Sequence, residues 1–441
     1  MRKKRRKCQA VTFMKDILLI LDLVIHQPGE TIFKDQLTIY LNIDFIERLF
    51  YTCFMETLEK LKTLSINMPF ESAEDLRPPV NNAACQDNLS QLKEQFPVTH
   101  ARLPGGKTIP LLKTMQTSVC ERDCNYCCFR SGRDTPRASL NPNELADAVV
   151  KLSKSGIAKG VFLSSGIAGG GIRTQDRIIA TAEILRNKYH YQDYIHLKIM
   201  PGAERDQIFR AMQLADRVSI NLEGPNEGCL SKLAPHKVFF KELLEPLKLI
   251  EEIRKNYPPH LAWKSTWPSS CTQFVVGAVG ERDIDLLQTS FNLRQSFGIS
   301  RAYYSRFTPV INTPFENLPA LNPWREHRLY QAFYLFRDYK FDLEELQFDQ
   351  HGNLQLDKDP KLAWAEQNLI ENPIEINKAD YDQLLKIPGI GPITAKRIIQ
   401  ARLHGKIRDC STLGKFGIPV SRAARFVLLD GNHPAYQPIL F

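Results

Sequence analysis

Between Leu111 and Pro309, short apolar runs alternate with longer segments of helical periodicity. This alternation constrains the fold most, because it is typical of a parallel sheet whose strands are connected by helices. Six strands are predicted, at Leu111–Val119, Gly160–Gly166, Tyr194–Pro201, Arg217–Gly224, Gln273–Gly280 and Arg301–Pro309. Helices are predicted between them, including Thr174–Tyr189, Val238–Tyr257 and Asp283–Phe297. The pattern predicts an α/β fold with a (β/α)6 partial barrel.

The first predicted strand leads into a loop from Cys120 to Cys128 that holds four of the ten cysteines. Thiolates spaced as C-x3-C-x2-C can converge from one loop on a metal or a cluster. Zinc sites usually pair two such cysteine groups, and no second close pair follows here. Three thiolates leave one iron of a 4Fe-4S cluster open to a small molecule. A structural or zinc-binding loop is the alternative, and Cys128 is an alternative third ligand.

This loop resembles the signature of the radical S-adenosylmethionine (SAM) enzymes, which carry an aromatic residue before the last cysteine. Tyr126 occupies that place. The resemblance implies that a 4Fe-4S cluster is held by Cys120, Cys124 and Cys127 and that SAM binds the open iron. It also implies that an electron from the cluster cleaves SAM to a 5'-deoxyadenosyl radical, and that the barrel is a (β/α)6 partial TIM barrel.

The polar residues that follow the predicted strands are candidates for the cofactor site, because barrel enzymes place their chemistry at the C-terminal ends of strands. The segment after the second strand aligns with the family's Gly-Gly-Glu-like contact to the methionine amino group, although the carboxylate is missing. A segment after the fifth strand resembles the glycines that let the backbone approach adenine. The residues predicted to bind the cofactor are Tyr126, Ser164, Ser165, Gly166, Asn221, Glu223 and Gly277. A surface turn is the alternative for Asn221 and Glu223.

Two further sets of residues near the cysteines are candidates for binding anions. Arg130, Arg133 and Arg137 follow the cysteine loop and could bind substrate phosphates or balance the charge of a cluster. The glycine run Gly169–Gly171 is a weak candidate for a phosphate cradle, since no P-loop lysine accompanies it. The catalytic residues themselves are not identified by the sequence.

The region around Pro388-Gly-Ile-Gly391 has the apolar spacing of two helices joined by a tight hairpin. It resembles the helix-hairpin-helix DNA-binding module, close to the type in bacterial DNA-uptake proteins. Glycines let the backbone approach a phosphate, and the N–H groups of the next helix can hold its oxygen. A degenerate second hairpin follows near Gly417. The residues predicted to bind DNA are Lys386, Gly389, Gly391, Lys396, Arg397 and Gly417. A structural tail or a protein-binding hairpin is the alternative.

The formal net charge of +9 lies mostly at the two ends of the chain. Residues 1–54 hold nine basic and six acidic residues, and residues 374–441 hold ten and five. The clustered cysteines and the absence of a predicted membrane segment suit a reducing cytoplasm. The predicted organisation is an N-terminal extension (1–54) with Met55 as a candidate start, a helical or irregular segment (55–110), the partial barrel (111–340), a charged connector (341–372), a tandem all-α helix-hairpin-helix domain (373–432) and a tail (433–441).

From about Met55 to Asn432, the arrangement resembles a bacterial family of radical SAM proteins assigned to DNA modification or repair. Members are often encoded beside a uracil-DNA-glycosylase-like protein. The resemblance implies DNA as the substrate, that protein as a partner, and an electron donor such as flavodoxin or ferredoxin. Two alternatives stay open: an enzyme that modifies RNA such as tRNA, and a non-catalytic DNA-binding protein whose iron-sulfur cluster senses redox state.

Overall fold

The computed structural model describes residues 56–65, 68, 98–102 and 108–434. The described residues from Thr57 onward belong to one compact unit. The predicted extension over residues 1–54, the candidate start at Met55 and most of the predicted tail lie outside the described residues. Within the described part of the chain, no helix is long and apolar enough to cross a membrane.

Among the described residues, seven strands form one sheet in the order of the chain. They are β1 (Val98–Arg102), β2 (Thr108–Met115), β3 (Gly160–Ser164), β4 (Tyr194–Lys198), β5 (Arg217–Glu223), β6 (Ser269–Val276) and β7 (Arg301–Arg306). Strands β2 to β7 are parallel, and β1 pairs antiparallel with β2. The predicted six parallel strands are confirmed. The additional strand β1 lies in the segment that the sequence analysis assigned as helical or irregular.

Helices connect the parallel strands, as the helical periodicity predicts, and one more helix follows the last strand. They are α1 (Pro142–Lys154), α2 (Gly171–Glu183), α3 (Arg205–Leu214), α4 (Glu227–Leu233), α5 (Glu245–Asn256), α6 (Asp283–Phe297) and α7 (Pro323–Asp338). Helix α1 begins at a capping box, in which the Asn141 side chain accepts the Glu144 N–H at 3.0 Å and the Glu144 carboxylate accepts the Asn141 N–H at 2.9 Å. A π-helical turn, Ile184–Lys188, extends α2, and another, Phe239–Leu244, precedes α5.

The first parallel strand ends at Met115, earlier than the predicted end at Val119. Beyond Met115 the Gln116 N–H still donates to the Ser164 carbonyl of β3 at 2.8 Å, and the backbone also bonds to the segment before α1. The Ser118 N–H donates to the Ala138 carbonyl at 3.0 Å, and the Leu140 N–H donates to the Gln116 carbonyl at 3.1 Å. These bonds satisfy the backbone groups that a longer strand would need. The cysteine loop therefore begins directly beyond the C-terminal end of β2.

The C-terminal module is helical except for one short strand pair, which the predicted all-α domain did not include. Its helices are α8 (Pro360–Asn368), α9 (Tyr381–Lys386), α10 (Pro392–Arg402), α11 (Cys410–Lys415) and α12 (Val420–Ala423). Strands β8 (Ile374–Glu375) and β9 (Val427–Leu428) pair in parallel and bring the two ends of the module together. The Glu375 carboxylate strengthens this closure by accepting the Gly431 N–H at 2.7 Å.

The predicted charged connector is packed against both halves of the compact unit. Phe341 and Leu343 belong to the apolar core of the barrel, whereas Ala365 and Leu369 belong to the core of the C-terminal module. Trp364 contacts both cores. The connector thus joins the module to the barrel by shared apolar packing.

Candidate functional site

A cavity at the C-terminal ends of the parallel strands contains the three predicted cluster ligands. Cys120, Cys124 and Cys127 line it, and it encloses about 1040 Å³ of empty space including its solvent-filled mouth. Every parallel strand contributes lining residues at or just beyond its C-terminal end, including Met115, Ser165, Lys198, Glu223, Val275 and Arg306. The strand ends and the cysteine loop therefore face the same cavity, as expected for a site in this fold.

Two of the cysteine sulfurs accept backbone N–H groups. The Ile167 N–H donates to Cys120 Sγ at 3.4 Å, and the Phe129 N–H donates to Cys127 Sγ at 3.4 Å. Such bonds favour the charged form of sulfur and tune the potential of a cluster bound to it. The loop therefore supplies two hydrogen bonds that would stabilise thiolates once a metal binds.

The segment after β3 fixes the start of the cysteine loop. The Gly166 N–H donates to the Thr117 carbonyl at 2.7 Å, and the Glu121 N–H donates to the Ile167 carbonyl at 2.8 Å. A Cβ atom on Gly166 would lie 2.3 Å from the Val119 carbonyl oxygen, so only glycine allows this approach. Ser165 and Gly166 line the cavity, whereas Ser164 is buried outside its lining.

The end of β5 brings two further predicted cofactor residues, Asn221 and Glu223, into the cavity lining. Glu223 has a φ of +63°, and the register of β5 against β6 shifts between Asn221 and Glu223. A non-glycine residue in this conformation is strained, and such strain concentrates at functional sites. One carboxylate oxygen of Glu223 is buried without a hydrogen-bond partner in the described structure. This oxygen can accept a hydrogen bond from a ligand.

Lys237 is the main feature of the site that the sequence analysis missed. Its Nζ lies 2.7 Å from a Glu223 carboxylate oxygen, and both side chains are nearly inaccessible to solvent. Lys237 lies in the connection between α4 and α5, far in sequence from the cysteines. No motif marks it, because its position depends on tertiary packing alone.

Burial raises the pKa of the Cys124 thiol to about 12, although the Lys237 ammonium opposes this effect. Burial also raises the pKa of Tyr126, and the charge of Glu223 adds to that shift. Tyr126 lines the cavity as a neutral phenol. A buried thiol of this kind needs a bound metal to become a thiolate, because the metal charge reverses the local preference.

The cysteine loop fits a 4Fe-4S cluster by residue type, spacing and common cavity. Within the described residues, no three histidine, cysteine, aspartate or glutamate side chains are already gathered as metal ligands. The backbone around the cysteines is held by the hydrogen bonds described above.

Gly277 does not line the cavity, although the sequence analysis assigned it to the cofactor. A Cβ atom on Gly277 would lie 2.5 Å from Leu321 Cδ1, and its φ is +98°. Its N–H donates to the Glu281 carboxylate. Close packing and a turn therefore account for this glycine.

The glycine run after β3 already holds a carboxylate. The Gly169 and Gly170 N–H groups each donate to the Glu121 side chain at 3.1 Å. The N–H groups of the predicted phosphate cradle are thus bound to Glu121. Because Glu121 belongs to the cysteine loop, these bonds attach the glycine run to that loop.

The three arginines after the cysteines bind backbone carbonyls of the same loop. Arg133 Nη1 donates to the Cys128 carbonyl at 2.9 Å, and Arg137 Nη1 donates to the Phe129 carbonyl at 2.8 Å. Arg130 donates to the Cys124 carbonyl at 3.3 Å. These guanidinium groups brace the loop and place positive charge beside the cysteines, which favours the second of the two predicted roles.

In the C-terminal module, two predicted hairpins pack on each other. Gly389 has a φ of +86° and Gly417 a φ of +77°, as tight turns require. A Cβ atom on Gly389 would lie 3.3 Å from Pro419 of the second hairpin. A Cβ atom on Gly391 would lie 3.2 Å from the Tyr339 hydroxyl, so the first hairpin also contacts the end of α7.

The predicted basic residues of the module have different surroundings. Lys396 and Arg397 are exposed on α10. Lys386 is largely buried, pairs with Glu345, and has its Nζ 3.7 Å from the centre of the Phe341 ring. Its charge is committed to the contact between module and barrel, which argues against a phosphate contact by Lys386.

Residues 115–264 match the Radical SAM superfamily, and residues 370–417 match the helix-hairpin-helix motif. The chain therefore contains a radical SAM core, a half-barrel of parallel strands and helices, followed by a helix-hairpin-helix module. Residues 115–264 are thus a radical SAM domain, and the cofactors of this superfamily are a 4Fe-4S cluster and SAM. The more specific resemblance to a DNA modification or repair family is not confirmed by these matches.

Several solved structures are distantly similar to parts of this chain. The FeFe-hydrogenase maturase HydG from Carboxydothermus hydrogenoformans has 16% identity over 52% of this chain and 51% of that chain, with a TM-score of 0.40. Methylornithine synthase (PylB) has 12% identity over 65% and 76%, with a TM-score of 0.40. The radical SAM methyltransferase TsrM from Kitasatospora setae has 12% identity over 65% and 53%, with a TM-score of 0.36. The chain covers about half the length of HydG. No curated protein matches the chain.

Proposed function

We propose that this chain is a radical SAM enzyme that modifies or repairs DNA held by its C-terminal module. One observation carries the proposal: a cavity lined by Cys120, Cys124 and Cys127 lies in the same compact unit as a helix-hairpin-helix module. A site for radical chemistry and a module typical of phosphate-backbone binding are thus joined by packed residues.

In this proposal the three cysteines hold the cluster, which supplies the electron that cleaves the sulfonium of SAM when both are bound. Ser165 and Gly166 border the SAM site beside the cysteine loop. Asn221 and Glu223 offer polar groups to its ribose or carboxylate, and the buried, unpartnered oxygen of Glu223 supports this role. Tyr126 lines the cavity beside the cysteines. Ser164 and Gly277 contribute through the backbone that they shape.

The proposed DNA contact lies at the start of α10, where orphan N–H groups and the helix dipole favour a phosphate oxygen. The exposed side chains of Lys396 and Arg397 add positive charge along the same helix. Gly389, Gly391 and Gly417 keep the hairpins compact enough for a backbone to approach. Such contacts are independent of sequence and sensitive to salt.

The other partners stay predictions from the resemblance. Cleavage of SAM requires a low-potential electron donor, and a flavodoxin or ferredoxin is the predicted class. The glycosylase-like partner and the cytoplasmic location are likewise predictions. RNA is the alternative substrate, and a non-catalytic redox sensor is the alternative function.

Isotope transfer tests the proposal. The reconstituted protein is incubated anaerobically with SAM, reductant and either a perdeuterated DNA duplex or a perdeuterated tRNA. If hydrogen is abstracted from DNA, deuterium enters the 5'-deoxyadenosine product only with the DNA, as mass spectrometry would detect. Deuterium from tRNA alone would establish the RNA alternative. A protein that binds a cluster but forms no 5'-deoxyadenosine with any reductant would instead be a sensor.

A further inference from the structure

A segment that runs from the end of α4 towards α5 binds the cysteine loop, and we call residues 232–242 the strap. Its first residues bind the middle of the loop. The Asn125 N–H donates to the Leu233 carbonyl at 2.8 Å, and the Asn125 side chain donates to the Lys232 carbonyl at 2.9 Å. The strap is therefore attached to the residue that directly follows Cys124.

Two further contacts to the loop lie one on each side of Lys237 in the sequence. His236 Nδ1 lies 2.8 Å from an Asp123 carboxylate oxygen, and Arg122 lies 2.6 Å from the Glu242 carboxylate. The Glu242 carboxylate also accepts the Val238 N–H at 2.8 Å, which closes the strap on itself. Lys237 thus projects from a short segment that is anchored on both sides to the cysteine loop.

The strap inserts the Lys237 side chain into the cavity. This side chain is only 10% exposed, lines the same cavity as Cys124 and Cys127, and forms an ion pair with Glu223. Burial alone would lower its pKa, but the Glu223 carboxylate 2.7 Å away has the opposite effect, and the pKa of Lys237 is raised. A fixed positive charge therefore lies beside the proposed cluster ligands, where water is largely excluded.

Two roles for this charge make different predictions. In the first role, Lys237 does no more than neutralise Glu223, since a buried carboxylate needs a partner. It could also act on the cluster, because three bound thiolates add negative charge to a cavity in which screening is weak. The attachment of the strap to Asp123 and Asn125, on both sides of Cys124, favours the second role. Pairing with Glu223 alone would not require that attachment.

We propose that Lys237 is a positioning residue for the cluster: the strap and Glu223 hold its ammonium beside the cysteine ligands, where it raises the reduction potential of the cluster. This inference rests on the proposed function, because it assumes that Cys120, Cys124 and Cys127 hold a 4Fe-4S cluster. Net charge near a cluster is one of the properties that set its potential. Lys237 acts through the cluster ligands and is not assigned a contact to a reacting atom.

The midpoint potential of the reconstituted full-length chain tests this role, measured without SAM by redox titration of the reduced-cluster electron paramagnetic resonance signal. Lys237→Met removes the charge at similar length, and Lys237→Arg keeps it. Lys232→Met, which removes an exposed charge from the same strap, is the matched control. We expect a more negative potential for K237M, and near wild-type potentials for K237R and K232M.

A double-mutant comparison separates the two roles. Glu223→Gln removes the partner, so a lysine that only neutralises Glu223 has no further effect on the potential in that background. We expect E223Q/K237M to have a more negative potential than E223Q. Equal potentials for these two proteins, or a K237M potential equal to that of the wild type, would overturn the proposal.

The iron content tests the proposal in variants that lose the cluster and therefore have no measurable potential. Loss of iron from K237M with retention in K237R supports the proposal, because the charge and not the shape is then required. Loss from both with the fold intact contradicts it. The wild type separates this inference from the proposed function: if it binds no iron the function fails, whereas bound iron with unchanged K237M potential removes only the role of Lys237.

Discussion

The end of the barrel and the C-terminal module use basic residues in opposite ways. Around the cysteine loop, Arg133, Arg137 and Lys237 are bound to carbonyls or carboxylates of the protein itself. On α10 of the module, Lys396 and Arg397 are exposed. Positive charge near the cysteines is therefore used inside the protein, whereas positive charge on α10 is available to a polyanion. Residue type alone does not distinguish these uses.

The largest effect is expected inside the cysteine loop. Cys120→Ala, Cys124→Ala and Cys127→Ala should each abolish stable 4Fe-4S binding, because only three protein ligands hold the cluster. Cys128→Ala is the matched control and should keep about four irons per chain. Iron analysis and absorption spectra after anaerobic reconstitution measure the outcome. Cluster loss from C128A with retention in C127A would reverse the ligand assignment.

The next effect concerns the junction between the two regions. Lys361 of α8 is buried, donates to the Ile390 carbonyl of the first hairpin, and has a pKa that burial lowers to about 7. The unfolded chain then binds more protons than the folded chain between pH 7 and the ordinary lysine pKa of about 10.4, so stability rises with pH in that window. The gain is at most about 1.4 kcal/mol per pH unit.

Thermal unfolding of the wild type and Lys361→Met across this window measures the effect of Lys361. The difference in stability should shift in favour of the wild type as the pH rises from 7 to 10. Below pH 7 the difference should be constant, because both states of the wild type are then protonated. A difference that does not change with pH would show that Lys361 stays charged in the folded protein.

Gly166→Ala should destabilise the barrel end by about 1–3 kcal/mol, since the new Cβ would overlap the Val119 backbone carbonyl. Gly405→Ala is the matched control, because no atom lies within 4 Å of its added Cβ. Chemical denaturation of both variants gives the free energies of unfolding. Equal stabilities for G166A and G405A would mean that the loop can move away from β3 without cost.

The smallest effect concerns the exposed charges of the module. Lys396→Ala/Arg397→Ala should weaken duplex binding by up to about 1 kcal/mol per lost charge and reduce the salt slope by about 2. Lys248→Ala/Lys255→Ala removes the same charge from exposed positions on α5. Fluorescence anisotropy at several salt concentrations measures both. Equal losses of affinity in the two double variants would show that duplex binding depends only on the net charge of the protein.

The parts of the molecule that follow from local sequence were predictable. The alternation of apolar runs predicted β2 to β7, and α6 was predicted at its observed bounds, Asp283–Phe297. The cysteine spacing predicted that Cys120, Cys124 and Cys127 act together, and these three residues line one cavity. Strand β1 was missed because its five residues, VTHAR, contain no apolar run and are ordered by pairing with β2.

The remaining features depend on contacts between distant segments. Lys237 reaches Glu223 only because the strap binds the cysteine loop, and nothing near Lys237 in the sequence marks this. Lys386 has the sequence context of a phosphate ligand, but packing of the module brings it onto Phe341 and Glu345. Gly277 resembles a cofactor glycine, yet its neighbour is Leu321. Periodicity predicts elements, and it does not predict which side chains meet.

The central claim is that the cavity around the cysteine loop supports cleavage of SAM. The most direct measurement is 5'-deoxyadenosine formed anaerobically by the reconstituted full-length chain, with and without reductant, analysed by liquid chromatography and mass spectrometry. We predict formation that requires reductant, is abolished in Cys124→Ala, and increases when duplex DNA is added. A protein with a full cluster that forms no 5'-deoxyadenosine under any of these conditions would contradict the claim.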